Sequence, residues 1–280
     1  MTDIWVDGRL VGPGHPAVAA DDAALTSGHG VFEAVKLTDG HPFALRRHLT
    51  RLRASADVMG IEIPDEATIR NAIDAMWQSV RAEGAHSAGR GIARITVTAG
   101  RTSLVEAVAA PQPVIVVSWR AWQDRREPAR VVTSPWPRNE FGPLVGVKST
   151  SYGEAVVILA DARRRGADEA LVPNLAGNLC EGTTSNVFVG FDDGLLTPPA
   201  SAGILSGVTR DLLLEAGVGV EADIPMAALD RATEAFLVST GREVQPIGWI
   251  NDRALPSCPG PLTVRAADTW RDRYANADEP

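Results

Sequence analysis

The chain has 280 residues, 45% hydrophobic and 22% charged, which is typical of a folded protein and not of a disordered or fibrous one. Acidic residues outnumber basic ones by 35 to 27, and this balance argues against the basic surface with which proteins bind nucleic acid. No apolar run approaches the ~18 residues of a membrane span, no signal peptide is visible, and the two cysteines, Cys180 and Cys258, are too few for a disulfide framework. We therefore expect a cytoplasmic protein without membrane or nucleic-acid partners.

The first part of the chain predicts a mixture of strands and helices. Ile4–Val6 and Gly30–Leu37 alternate as strands do, and Asp39-Gly40 after the second is a hairpin signal. Apolar side chains then recur at helical spacing from Leu45 to Met59, and Gly60 is a typical helix end. The other predicted elements of this part are a helix over 69–80 and strands over 92–98 and 114–119.

The charged segment 120–130 breaks this pattern and predicts a linker between a smaller N-terminal α/β domain, 1–119, and a larger C-terminal domain, 131–280. The second domain begins with a strand over 131–133 and a loop over 135–146 that is rich in proline and glycine. The next helix is predicted by an apolar stripe, which comprises Ala155, Val156, Leu159, Ala160 and Ala162. Further elements are predicted as strands over 170–172, 186–189, 195–196 and 235–238 and a helix over 209–215. The sequence therefore predicts an α+β protein of two domains.

Lysine is scarce in this chain. Of the 27 basic residues only Lys36 and Lys148 are lysines, and the rest are arginines. Arginine stays protonated, whereas lysine can lose its proton and form a Schiff base. Covalent chemistry at a lysine side-chain amine therefore has two candidate residues, Lys36 and Lys148.

Common nucleotide, metal and hydrolase motifs are incomplete. Gly28-His29-Gly30 begins like a dinucleotide-binding loop, but Glu33 stands where its third glycine is needed. The loop before Lys148 resembles a Walker A motif, yet Val147 separates Gly146 from the lysine. The five histidines lack zinc-binding spacing, and no nucleophile elbow of a serine hydrolase is present. We expect no metal site.

Four stretches carry unusual combinations of glycine, hydroxyl and charged residues. They are Gly28–Glu33 with Arg46–Leu52, Val147–Tyr152, Cys180–Phe188, and Thr197–Pro199 with Gly203–Arg210. In this order they resemble the class IV aminotransferase family, the fold-type IV pyridoxal-phosphate enzymes, over about Trp5 to Asp252. That family includes branched-chain aminotransferases, D-amino-acid aminotransferases, (R)-amine transaminases and aminodeoxychorismate lyases. The resemblance implies a two-domain fold of type IV, with a pseudo-barrel as the larger domain, and a homodimer.

The resemblance assigns Lys148 to a Schiff base with pyridoxal 5′-phosphate and Glu181 to the nitrogen of the cofactor's ring. Lys148 follows the predicted loop and precedes the predicted helix, a position from which a side chain can enter a cleft. A lysine amine can hold the cofactor and carry a proton at the substrate Cα. A carboxylate keeps the ring nitrogen protonated, which the cofactor needs to accept electrons. The alternatives are a solvated lysine and an exposed loop glutamate.

Several residues are candidates for binding the rest of the cofactor. Gly207-Val208-Thr209 opens a predicted helix, whose first backbone N–H groups can bind a phosphate. The resemblance adds Arg51, the arginine of an H-x-x-R-L motif, for which a surface ion pair is the alternative. It also adds Leu205, Tyr152 and Thr240. For Tyr152 a packing role is the alternative, and for Thr240 a hydroxyl at the end of a strand.

The partner of the substrate carboxylate is left open among four residues. The arginine and histidine of D-amino-acid aminotransferases are missing after Thr98-Ala99-Gly100, so Arg94 and Arg101 are candidates to replace them. Phe32 matches a family position that lines the pocket, and Lys36 shares its strand face by two-residue alternation. The alternative for Lys36 is a solvated strand lysine.

The resemblance implies an aminotransferase that moves an amino group between an amino donor and a 2-oxo acid. We expect D-amino acids as donors, with (R)-amines as a further class. The main alternative is an aminodeoxychorismate lyase, which shares Lys148, Glu181 and the phosphate site and forms 4-aminobenzoate and pyruvate. An L-branched-chain aminotransferase and a non-catalytic cofactor-binding protein are the remaining alternatives.

Overall fold

The computed structural model describes residues 3–12, 14–82, 84, 89–102, 112–274, 277 and 279–280. They form two compact units. The first comprises Met1–Gln123, Val147–Tyr152 and Glu279, and the second comprises Asp124–Gly146, Gly153–Asp278 and Pro280. No helix in the described part of the chain is long and apolar enough to cross a membrane.

The division after Gln123 falls inside the segment 120–130 that was predicted as a linker. The structure differs from the predicted domains at Val147–Tyr152, which lies with the first unit although the sequence placed Lys148 in the second domain. The segment Val147–Tyr152 lies with the first unit because its backbone groups form hydrogen bonds with a strand of that unit.

The first unit is a six-stranded antiparallel sheet with helices. Its elements are β1 (Ile4–Val6), β2 (Arg9–Val11), α1 (Ala23–Thr26), β3 (Gly30–Thr38), β4 (His41–Pro42), α2 (Leu45–Met59), α3 (Glu66–Ala82), β5 (Arg90–Thr98) and β6 (Val114–Ala121). The strand order is β2-β1-β6-β5-β3-β4. The long strand β5 lies between β3 and β6, and this pairing fixes which side chains share a face of the sheet.

The predicted hairpin and helices of the first unit are confirmed. Gly40 takes a φ of +90° in the turn between β3 and β4, where a Cβ would lie 2.5 Å from the Trp77 indole nitrogen. Gly60 ends α2 with a φ of +65°, and its N–H donates to the Ala56 carbonyl. Both helices bury their apolar stripes in one core with the sheet, including Leu49, Ile73 and Val35.

The second unit is a larger mixed α/β structure. Its elements are β7 (Ala129–Thr133), α4 (Gly153–Arg164), β8 (Glu169–Pro173), β9 (Leu179–Gly182), β10 (Asn186–Phe191), β11 (Gly194–Thr197), α5 (Val208–Glu215), β12 (Val220–Glu221), β13 (Glu234–Ser239), β14 (Glu243–Ile250), β15 (Arg253–Ala254) and α6 (Pro261–Tyr274). Eight strands follow the order β12-β11-β10-β13-β14-β7-β8-β9, and β15 pairs with β14. β7 and β8 are parallel, and α4 lies in the crossover between them, as parallel pairing requires. The α+β prediction is confirmed.

The stripe predicted for α4 is partly wrong. Ile158 and Ala162 are the buried residues of the helix and pack against β7 and β8, whereas Val156 is 64% exposed. Ala160 is exposed as well. The helix is apolar on more than one side, so the apolar pattern alone did not show which side faces the sheet.

Candidate active site

The backbone around Lys148 is held against the first unit. The Lys148 carbonyl accepts a hydrogen bond from the Phe32 N–H at 3.0 Å, and the Lys148 N–H donates to the Ser55 hydroxyl on α2 at 3.1 Å. Two residues on, the Thr150 N–H donates to the Gly30 carbonyl at 2.8 Å. The half-buried side chain places Nζ 4.6 Å from the centre of the Phe32 ring. The segment therefore presents Lys148 at a fixed position beside β3.

Two glycines explain part of the first unusual stretch. Gly28 has a φ of +70°, and a Cβ there would lie 2.4 Å from the Ser151 hydroxyl oxygen. A Cβ at Gly30 would lie 3.0 Å from the Thr150 hydroxyl oxygen. Side chains at these positions would push the segment Val147–Tyr152 away from β3. The position of Lys148 therefore depends on the two glycines of the stretch Gly28–Glu33.

Phe32, Arg94 and Lys36 lie on one face of the sheet. Ala34, between Phe32 and Lys36 on β3, is paired with Arg94 on β5, and directly paired residues project to the same side. The Arg94 guanidinium lies 3.6 Å from the centre of the Phe32 ring. Phe32 and Arg94 are therefore in contact, and Lys36 lies on the same face of the sheet.

Lys36 is not the solvated lysine of the alternative interpretation. Its side chain is buried, with Nζ 5.1 Å from the centre of the Phe43 ring and 5.9 Å from that of Trp122. Aromatic faces attract a cation, so the two rings are suited to stabilise the Lys36 amine where little solvent reaches it.

Arg101 and Tyr152 differ in how they relate to this face. Arg101 is exposed and forms an ion pair with Asp21, and within the described part of the chain it makes no contact with the Phe32 ring. Tyr152 meets the Phe32 ring edge-on, with ring centres 5.3 Å apart. Tyr152 is therefore part of the cluster around Phe32, and Arg101 is not.

Arg51 is paired with a buried carboxylate of the neighbouring strand. Its Nε and Nη2 donate to the two oxygens of Glu33 at 2.7 and 2.8 Å. His48, three residues earlier on α2, donates through Nδ1 to Glu33 at 2.7 Å. His48 therefore connects α2 with β3. Arg51, for which a surface ion pair was the alternative, is instead bound to a fully buried partner.

Glu181 is the central carboxylate of the second unit. It lies on β9 and is buried, which contradicts the exposed loop glutamate of the alternative interpretation. Asn186 Nδ2 and the Leu205 N–H donate to Oε2 at 2.9 and 3.0 Å, and Arg138 donates to Oε1. Asn186 also donates to the Leu205 carbonyl at 2.8 Å, so it holds the segment before α5 beside the carboxylate.

The turn after Glu181 is fixed by a second buried carboxylate, Glu169. It accepts hydrogen bonds from the Thr183 N–H at 3.1 Å, from the Thr184 hydroxyl at 2.9 Å and from Arg242 at 3.1 Å. Burial lowers the pKa of Arg242, and the charge of Glu169 opposes that shift. The hydroxyl residues of the third unusual stretch therefore fix the shape of the turn.

The N-terminus of α5 is suited to an anion. Gly207 is its N-cap, and as a glycine it has no side chain that could cap the helix. A Cβ at Gly207 would lie 2.0 Å from the Asn186 amide oxygen, so only glycine fits there. Val208 and Thr209 are buried, and the half-buried Thr240 lies in the turn between β13 and β14. Uncapped helix N–H groups carry partial positive charge and bind phosphate groups.

Sequence reasoning missed Glu33, Arg138, Glu169 and Arg242 as supporting residues. A signal existed for Glu33, since it is an acidic residue inside an otherwise apolar strand. For Glu169 and Arg242 no local signal exists, because 73 positions separate them. Among the described residues, no group of three or more histidine, cysteine or acidic side chains could hold a metal ion.

Comparison with known proteins identifies relatives over almost the whole chain. The family model for amino-transferase class IV matches residues 30–250. A bifunctional aminodeoxychorismate lyase / D-amino acid transaminase of Mycobacterium tuberculosis is 30% identical, over 91% of this chain and 93% of the relative. A branched-chain aminotransferase of Thermoproteus uzoniensis, crystallised with norvaline, is 30% identical with a TM-score of 0.83, covering 96% and 93%. A hypothetical aminotransferase of Mycobacterium tuberculosis in a PLP-bound form is 26% identical with a TM-score of 0.85, covering 98% and 99%. The predicted type IV fold is confirmed.

Proposed function

The chain belongs to the amino-transferase class IV family, whose enzymes use pyridoxal 5′-phosphate, and on this premise we propose that it moves an amino group between a small amino donor and a 2-oxo acid. The observation that carries the proposal is the position of Lys148. Its backbone is bound by Ser55 and Phe32, and its amine lies beside the Phe32 ring. A lysine held in this way is suited to act as a covalent and acid–base group.

The polar groups of the described residues fit this cofactor. Glu181 is a buried carboxylate with a fixed orientation, which suits a protonated pyridine nitrogen. The uncapped start of α5, with glycine at the N-cap, suits a phosphate group. When bound, the cofactor supplies an electron sink for the negative charge that develops at the substrate Cα.

Two side chains would carry the chemistry. The Lys148 Nζ would hold the cofactor covalently and would also carry a proton to and from the substrate Cα. Glu181 would keep the proton on the ring nitrogen through charge pairing. Arg138, Asn186 and the Leu205 N–H hold the carboxylate in one orientation for that bond.

We propose that the other cofactor contacts come from Arg51 and from the first turn of α5. Arg51 contributes a guanidinium held by Glu33, and Val208 and Thr209 contribute the N–H groups of the first turn of α5. We also assign Thr240 to the phosphate group, Leu205 to the cofactor ring and Tyr152 to the ring's phenolic oxygen, as the family resemblance implies.

The substrate carboxylate would bind on the sheet face that carries Phe32, Arg94 and Lys36. Both cations lie on that face, and both are placed against aromatic rings, which limits their motion. An arginine is well matched to a carboxylate because it can donate two parallel hydrogen bonds. Arg101, bound to Asp21 at the surface, is the weaker candidate for this role.

For the donor we propose D-amino acids, with (R)-amines as a further class. The Mycobacterium tuberculosis relative, whose name includes D-amino acid transaminase, supports this assignment. The first part of the same name supports the alternative, an aminodeoxychorismate lyase. The Thermoproteus uzoniensis structure supports an L-branched-chain aminotransferase as a further alternative.

Three parallel incubations of the pure enzyme separate these activities. We expect pyruvate from D-alanine with 2-oxoglutarate, and little product from L-leucine with 2-oxoglutarate or from aminodeoxychorismate. Lys148→Ala serves as the control for uncatalysed product. Formation of pyruvate and 4-aminobenzoate from aminodeoxychorismate, with no product in the other two incubations, would establish the lyase. Formation of an oxo acid only in the incubation with L-leucine would establish the branched-chain enzyme.

We further propose a homodimer in the cytoplasm. The second unit exposes large apolar side chains, including Phe141 at 83%, Val156 at 64% and Leu175 at 57%. Exposed apolar surface of this kind is typical of regions that bind another protein. A solution mass of a single chain from light scattering would contradict the dimer.

A further inference from the structure

Glu33 is a fully buried carboxylate that the cofactor chemistry does not use directly. It lies on β3, next to Phe32 in sequence, so its side chain projects to the opposite face of the strand. There it accepts two parallel hydrogen bonds from Arg51 and one from His48. Such a two-bond pairing fixes the plane of a guanidinium as well as its position.

The charges of this group favour an ionised Glu33 beside a neutral histidine. Burial by itself raises the pKa of Glu33, but the Arg51 charge and the hydrogen bonds from Arg51 and His48 hold that pKa well below its ordinary value. Burial lowers the pKa of His48, more than Glu33 raises it. Arg51 is therefore the cation that balances the buried charge of Glu33, while His48 contributes a hydrogen bond.

The same helix face reaches the Lys148 segment. His48, Arg51 and Ser55 are spaced three and four residues apart on α2, so they lie on one side of the helix. His48 and Arg51 bind Glu33, and Ser55 accepts the hydrogen bond of the Lys148 N–H. Helix α2 thus connects the buried carboxylate with the segment that carries the proposed cofactor lysine.

We propose that Glu33 is a positioning residue for the phosphate group of pyridoxal 5′-phosphate and acts through Arg51. An unrestrained arginine has many rotamers and loses this freedom when it binds an anion. Because Glu33 already holds the guanidinium in the folded protein, Arg51 loses most of this rotamer freedom before the phosphate group binds. His48 fixes Glu33 in turn and adds no formal charge. The inference rests on the proposed cofactor role of Arg51.

The test compares two probes, pyridoxal 5′-phosphate and pyridoxal, which lacks the phosphate group. Each is titrated into the full-length protein after removal of bound cofactor, and the dissociation constant is measured by fluorescence. We expect Glu33→Gln to weaken binding of the phosphorylated probe by about 10- to 100-fold. Binding of pyridoxal should stay the same. Glu62→Gln, an exposed residue of the same unit, and Arg47→Ala, on the same helix, are matched controls that should leave both constants unchanged.

A double-mutant cycle tests whether Glu33 acts through Arg51. Arg51→Ala should weaken binding of the phosphorylated probe at least as much as Glu33→Gln, and adding Glu33→Gln to Arg51→Ala should have no further effect. Equal losses for both probes, or losses that add in the double variant, would overturn the proposal. If the wild-type protein binds neither probe, the proposed cofactor itself fails, which is a distinct result.

The glutamine variant is designed to fold. Its amide can accept a hydrogen bond from Arg51 and donate one to His48 Nδ1 in the other neutral tautomer. If circular dichroism nevertheless shows loss of structure, Glu33→Asp takes its place, because it keeps the charge and shortens the reach. We expect Glu33→Asp, too, to weaken binding of the phosphorylated probe and to leave binding of pyridoxal unchanged. If this variant bound the phosphorylated probe as tightly as wild type, the proposal would be overturned.

Discussion

Replacing Lys148 with alanine should abolish covalent attachment of the cofactor and lower kcat by on the order of 10⁴-fold. The substitution removes both the amine that binds the cofactor and the group that moves a proton at the substrate Cα. The backbone bonds to Ser55 and Phe32 do not involve the side chain, so the segment should keep its place. Attachment is measured by absorption before and after borohydride, and kcat by oxo-acid formation.

Lys36→Ala is the matched control for this experiment, since it removes the only other lysine. We expect it to keep the covalent cofactor and to raise KM, because we place Lys36 with the substrate carboxylate. Turnover of Lys148→Ala within tenfold of wild type would contradict the assignment.

Replacing Glu181 with glutamine should leave the cofactor bound but lower kcat by about 10²- to 10³-fold, as expected when one electrostatic group of an active site is removed. Glutamine keeps an oxygen that can accept bonds from Asn186 and the Leu205 N–H. It lacks the negative charge that keeps the ring nitrogen protonated. The loss should therefore appear in kcat, with cofactor content unchanged after dialysis.

The control in the same unit is Glu127→Gln, since that side chain is exposed. It should show wild-type kcat and cofactor content. Near-normal turnover of Glu181→Gln would remove Glu181 from the ring nitrogen, and loss of the cofactor would indicate a role in retention.

Much of the fold follows from local sequence signals. The hairpin at Asp39-Gly40 and the helix end at Gly60 depend on glycines with positive φ, and these have short sequence signatures. Periodicity located α2 and α3 because each has a single apolar face against the sheet. It was less informative for α4, where Val156 is apolar but exposed.

The parts of the candidate site that depend on a single residue could be predicted from the sequence. The parts that depend on contacts between distant residues were harder to predict. The scarcity of lysine left two candidates, of which the family resemblance selected Lys148, and two-residue alternation placed Phe32 and Lys36 on one face. The burial of Lys36 depends on Phe43 and Trp122, which only the folded chain brings near it. The same holds for Arg138 beside Glu181, since they are 43 positions apart. Partners so distant in sequence leave no local pattern.

The most direct test of the account maps the cofactor onto the chain. The purified protein, loaded with pyridoxal 5′-phosphate, is reduced with borohydride and digested, and peptide masses locate the added group. The chain has two lysines, Lys36 and Lys148, and they fall in separate peptides, so the assignment is unambiguous. We expect the added mass on Lys148 alone. A label on Lys36 or on the N-terminal amine, or no label after reconstitution, would contradict the central claim that Lys148 holds the cofactor.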